Sequence, residues 1–147
     1  MLAASEQIST IYLEYGSYTR VVLTVAEFNT YATLISKLSN YQKITISDSA
    51  SNLNNLDLTL APHAESYILK PTSLESDIYV KCPNQIFRID LSALSDSRSI
   101  SYSGVATDYD AGTDLQISMG NVTRKLHLVG EGVNNFEVTG STSAQAI

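Results

Sequence analysis

The stretch from residue 23 to residue 60, LTVAEFNTYATLISKLSNYQKITISDSASNLNNLDLTL, changes its hydrophobic period halfway along. Thr24 followed three residues later by Glu27 is a capping box, in which hydroxyl and carboxylate each take up one free backbone N–H at a helix start. Phe28, Tyr31, Ala32, Ile35 and Leu38 then recur at helical spacing, and Ser39-Asn40 supplies a stop. The spacing therefore predicts a helix over about residues 25–39, packed through Phe28, Tyr31, Ile35 and Leu38. From Lys43 onward the period is two: KITIS reads as a strand, SDSASN as a turn and LDLTL as a second strand. Asp48 or Ser49 can cap the turn through Asn52, leaving Leu53, Leu56, Leu58 and Leu60 to bury one side.

Outward from this core stretch the same period continues. SYIL, DIYVK, QIFRID, SISYS, LQISM, RKLHLV and FEV are short, rich in β-branched and aromatic types, and bounded by Pro, Gly, Asn or Ser. Turn chemistry predicts three hairpins. Gly16-Ser17 joins residues 8–15 to 18–23, Pro83-Asn84 joins IYVKC to QIFRI, and Gly120-Asn121 joins LQISM to VTRKLHLV. In the third, Leu115, Ile117, Met119, Val122 and Leu126 share a face, with Arg124 at its boundary. The fold expected is mainly β, a β-sandwich or barrel-like arrangement of antiparallel hairpins with one packed α-helix near residues 25–39. Residues 1–140 form a single domain in this reading, and 141–147 a C-terminal tail without pattern.

A chain of 147 residues is the size of one domain with one core. Its net charge of -6, from 9 Lys+Arg against 15 Asp+Glu, argues against nucleic acid as a partner, since phosphate binding depends on clustered cations. No apolar run long enough to insert into a membrane stands in the sequence. The N-terminus, MLAASEQIST, shows neither a basic nor an apolar signal-peptide region, so the expectation is either a cytosolic protein or export by a route that needs no N-terminal signal. Cys82 stands alone, which removes an internal disulfide and any multi-cysteine metal site. Ser, Thr and Asn together number 42, and Tyr (9) outnumbers Phe (3) and Trp (0), a hydrogen-bonding surface of low charge suited to the outside of a cell or a virion.

The segment over about residues 23–55 also resembles a repeat of very large bacterial surface proteins exported by type I systems, adhesin-like chains. The matching residues are Leu23-Thr24-Val25-Ala26, at the helix start, and Ile46-Ser47-Asp48-Ser49-Ala50-Ser51-Asn52-Leu53, after a strand. The match occurs once, over about residues 23–55, and Ser51 stands where those repeats favour Ala. The resemblance implies a non-catalytic building element exposed outside the cell; it carries over no active site.

Residue types that could carry chemistry are few. Asp108, Asp110 and Asp114 in ATDYDAGTDLQ surround a Gly turn with a spacing reminiscent of a Ca²⁺ loop. Gly112 and Met119 occupy places where such a loop needs oxygen ligands, so the favoured reading is a solvated acidic turn, with calcium as the alternative and no other cofactor. His63 and His127 lie in no metal spacing and beside no nucleophile, and alternation puts His127 on the polar face of a strand. The sequon Asn121-Val122-Thr123 falls in a tight turn and is expected to carry no glycan. The nine tyrosines could form a sugar-stacking or subunit-contact surface, since tyrosine joins an apolar face to a polar tip, and Tyr12, Tyr15 and Tyr18, clustered on the first hairpin, are its favoured members.

These features favour a non-enzymatic structural subunit of an extracellular or virion assembly (filament, surface layer, fibre or capsid decoration). Its partners would be copies of itself or other surface proteins, met through β edges or termini. The alternative is a carbohydrate or cell-surface binding module.

Overall fold

The computed structural model describes residues 21–38, 43–62, 66–81, 85–94, 100–103, 114–119, 121–129, 137–139 and 143–144. The strands are β1 (Val21–Leu23), β2 (Ile44–Asp48), β3 (Tyr67–Pro71), β4 (Ile78–Lys81), β5 (Ile86–Asp90), β6 (Ile100–Ser103), β7 (Asp114–Met119), β8 (Val122–Val129), β9 (Glu137–Thr139) and β10 (Ser143–Ala144). Helix α1 spans Val25–Ile35 and the short α2 spans Ala50–Leu53. Single 3₁₀ turns occupy Leu58–Leu60 and Ser92–Leu94.

The strands form two sheets, ordered β1-β2-β3-β5-β9 and β10-β6-β7-β8-β4. Every pairing in the first sheet is parallel. This departs from the antiparallel hairpins expected. Val21 pairs with Ile44 and Ile44 with Tyr67, so two successive rungs advance the chain by 23 residues each. The third advance, from Tyr67 to Ile86, is shorter, and a register shift follows immediately: Ile68 pairs with Arg88, which leaves Phe87 as an extra residue. Lys43 Nζ stands 4.1 Å from the centre of the Phe87 ring, and the Arg88 guanidinium 5.2 Å from it.

A parallel sheet needs long crossovers: helical turns supply those from β1 to β2 and from β2 to β3, while the chain passes through β4 of the second sheet between β3 and β5 and through β6–β8 between β5 and β9. Ile44, Thr45 and Ile46 are all buried, as are Tyr67, Ile68 and Leu69. Consecutive burial of this kind marks strands covered on both faces. The alternation in KITIS suggests one wet face, but Thr45 is 2% exposed.

The capping box forms. The Glu27 N–H donates to Thr24 Oγ1 (3.2 Å) and the Thr24 N–H donates to Glu27 Oε2 (2.8 Å). Thr24→Ala should cost about 1 kcal/mol, read as a fall in the denaturant midpoint. The helix ends at Ile35 rather than near residue 39. Ser36 closes it by donating its N–H to Ala32 O and its hydroxyl to Thr33 O (2.7 Å), a local bond that competes with further helix. Val25, Phe28, Ala32 and Ile35 are buried and Leu38 packs against the core. Tyr31 faces solvent at 52% exposure, a correction to its expected core role.

LDLTL is not a strand. The Asp57 carboxylate accepts from both the Thr59 N–H (3.0 Å) and the Thr59 hydroxyl, and this local turn wins over alternation. Leu53, Leu56 and Leu58 are buried, but Leu60 is half-exposed. The Pro83-Asn84 hairpin is corrected too. β4 pairs with β8 in the second sheet, while β5 lies between β3 and β9 in the first. The Gly120-Asn121 hairpin does form, with Met119 opposite Val122 and Ile117 opposite Arg124. Ser143–Ala144, inside the tail expected to lack pattern, pairs parallel with Ser101–Tyr102.

One hydrophobic cluster joins both sheets, with Ile44, Ile46, Leu69, Ile86 and Ile89 from the first and Ile78, Val80, Ile117 and Leu126 from the second. At its centre the Phe28 and Tyr67 rings meet edge to face, 5.7 Å apart at 85°. Tyr67 is fully buried and donates its hydroxyl to Ala61 O; burial pushes its ionisation far up.

Candidate functional site

Where the parallel strands end, the chain turns into helical starts, and carboxylates gather there. Asp48, the last residue of β2, accepts from the Ser49 N–H (2.8 Å) and from Asn52 Nδ2 (2.8 Å) at the start of its own helix α2. Its second oxygen accepts from the Val25 N–H (3.0 Å), at the start of helix α1 on the preceding rung. Glu75, after β3, repeats the arrangement one rung on: its carboxylate accepts from the Ser51 N–H (2.8 Å) and the Ser51 hydroxyl (2.7 Å), and from Ser73. Asp90 ends β5, accepts from the Ser92 N–H (2.9 Å) and lies 3.7 Å from Lys70 Nζ on β3. A carboxylate on one rung thus holds the rung before it.

Charge follows from these bonds. For Asp48 burial opposes ionisation, yet the bonds from Asn52, Val25 and Ser49 outweigh it and hold the carboxyl below its ordinary value. The Ser73 hydroxyl, with Ser51, lowers Glu75 to about 2. Burial also opposes ionisation of Asp90, and Ser92 and Lys70 overcome it. These are carboxylates engaged in capping, not groups poised near neutral pH for proton transfer. Between the starts of α1 and α2 lies an open cleft of about 230 Å³ lined by Val25, Ala26, Asn29, Asp48, Asn52 and Asn55. Three carboxamides and the Asp48 carboxylate give it a hydrogen-bonding wall that carries one negative charge.

The second sheet carries a different cluster. Tyr79 on β4 and His127 on β8 are register partners, and their rings stack with centroids 4.6 Å apart at 19°. His127 Nε2 lies 3.5 Å from Asp77 Oδ2, and Asp77 Oδ1 accepts from the Lys125 N–H (2.9 Å), the bond that most lowers its ionisation. Asn54, which follows α2, donates Nδ2–H to Asp77 O (2.9 Å) and accepts the Tyr79 N–H at Oδ1 (2.8 Å). One carboxamide thereby does for residues 77 and 79 what a neighbouring strand would do. Arg124 reaches across to donate to Leu74 O (3.1 Å) and Glu75 O (3.2 Å), tying β8 to the third rung.

Among the sites expected from sequence, Tyr12, Tyr15, Tyr18, Asp108 and Asp110 lie outside the described residues, as do His63 and Cys82. Asp114 is the first residue of β7 and the register partner of His127. Among the described residues no three His, Cys, Asp or Glu side chains converge as a metal site, and no helix is long and apolar enough to cross a membrane. Sequence alone singles out neither Glu75 nor Asp77, and offers Tyr79 only as one of nine tyrosines. The alternation of Ile78-Tyr79-Val80-Lys81 places Tyr79 outward, but its stacking partner is 48 residues away.

Comparison with protein-family models, with curated proteins and with solved structures found no match.

Proposed function

We propose that the chain is a non-catalytic structural element of an extracellular or virion assembly, with its two sheets packed as a sandwich around the shared core and its contacts made through strand edges. The observation that carries this reading is the parallel stack: rungs that advance by 23 residues and are held to one another by side chains of the next rung. Stacks of this kind are quasi-one-dimensional, each unit bearing on its neighbours, and their end strands present unpaired backbone groups. The surface rich in Ser, Thr and Asn and the resemblance of residues 23–55 to an adhesin-like repeat support an exposed location.

Sedimentation and electron microscopy of the purified chain test the proposal. Concentration-dependent homo-oligomers are expected, and a chain that stays monomeric throughout the millimolar range would remove it. The edge of β4 offers a sharper test, because Asn54 occupies it. Asn54→Ala should expose the Tyr79 N–H and the Asp77 carbonyl and add a new mode of self-association, seen as a higher mean mass in light scattering. An unchanged mass would show that this edge is closed by something besides Asn54.

A further inference from the structure

We propose that Tyr79, held against His127 on the outward face of the second sheet, is a stacking platform for a pyranose ring of a neutral glycan. Tyr79 is 48% exposed although it sits in a strand whose neighbours Ile78 and Val80 are buried. Its ring is not free to turn away. Asn54 fixes its backbone, His127 covers one face, and Asp77 steadies His127. β4 is the last strand in the order of its sheet, so the opposite face of the ring is not met by a further strand of that sheet.

The surroundings select the ligand class. The strand alternation carries Tyr79 and Lys81 outward on β4 and exposes Thr123 and Lys125 on β8. Gln116 and Ser118 on β7 stand opposite Lys125 and Thr123 in register. The result is one aromatic surface bordered by hydroxyl, amide and ammonium groups, with the Asp77 carboxylate beside His127. Val22, Tyr31 and Leu60, the other large apolar side chains exposed among the described residues, belong to different elements. A protein partner needs an apolar centre of several residues in such a patch. A pyranose needs one aromatic face for its C–H side and hydrogen-bonding groups for its rim of hydroxyls, which is what these residues offer. Ammonium groups and the Asp77 carboxylate both border the ring and the chain as a whole carries -6, so no single-sign cationic surface is offered to an anionic glycan and a neutral one is favoured.

This platform stands without the assembly reading, since a monomer can bind a glycan and a filament need not. The full chain is screened on an array of neutral and acidic glycans, and any ligand found is titrated against the wild type, Tyr79→Ala and Tyr79→Phe. The expected result is a neutral glycan whose affinity falls by about tenfold or more in Tyr79→Ala and stays within about twofold in Tyr79→Phe, since stacking survives loss of the hydroxyl. Saturation-transfer NMR on the wild type, irradiating aromatic resonances, should reach the ring C–H protons of the sugar and needs no variant to fold. An array without a neutral ligand, an affinity that Tyr79→Ala leaves unchanged, or a sugar receiving no transfer from aromatic protons would overturn the proposal.

Discussion

Replacing Phe28 by alanine should lower the stability of the chain by about 3–5 kcal/mol, enough to unfold a marginal domain at ordinary temperatures. Phe28 is fully buried, and its ring meets the buried Tyr67 edge to face, so truncation leaves a cavity against a side chain that cannot move into it. Tyr67 is anchored by its hydroxyl to Ala61 and by its backbone to β2 and β5. Collapse around the gap is thereby restricted, which puts the cost in the upper part of the usual range. Chemical denaturation monitored by circular dichroism checks this; an unchanged midpoint would show that helix α1 does not contribute to the core. Tyr31→Ala is the control on the same helix, and should change stability little because Tyr31 faces solvent.

The second large effect is expected at Asp48. Asp48→Ala removes acceptors from the starts of α1 and α2 together and should cost about 2–3 kcal/mol, roughly the sum of two helix caps. Acid should act at the same places. The carboxyls of Asp48, Glu75 and Asp90 ionise more readily in the fold than in the unfolded chain. Between the folded and unfolded values the unfolded chain therefore binds more protons, and stability rises with pH. The contribution is complete above the ordinary carboxylate range near pH 4 and is lost as pH falls, with Glu75 protonating at about 2. Neighbouring carboxylates temper the effect and a neighbouring lysine strengthens it. Asp48 feels Glu75, Glu27 feels Asp48, and Lys70 supports Asp90. Glu75→Gln should flatten the acid limb of a melting-temperature profile at a cost of about 1 kcal/mol near neutral pH, because a largely exposed carboxylate is screened by water. An acid limb that keeps its slope in that variant would place the acid sensitivity elsewhere.

Local signals were legible because they act over a few residues. Thr24 and Glu27 mark the helix start, Ser49 caps toward Asn52, and Gly120-Asn121 turns β7 into β8; each needs only residues two or three positions apart. The strand segments after residue 43 were legible for the same reason, except LDLTL, where the Asp57–Thr59 bonds override the alternation. The sequence by itself determined these elements and the capped ends. Tertiary structure decided their partners. The 23-residue advance is shared only by short strands, and the connectors between them differ, from an 11-residue helix to a four-residue helix with a 3₁₀ turn, so no repeat stands out in the letters. Thr45 reads as a solvent-facing residue and is buried, because burial depends on what covers the sheet's second face. Pro83-Asn84 reads as a hairpin, yet Ile78 and Val80 pair with β8 while Ile86 pairs with β3, and apolar burial in the shared core outweighs a local turn preference. The Tyr79–His127 stack and the hold of Glu75 on Ser51 have the same origin: they join residues 48 and 24 positions apart, a proximity that only the parallel and cross-sheet pairings create.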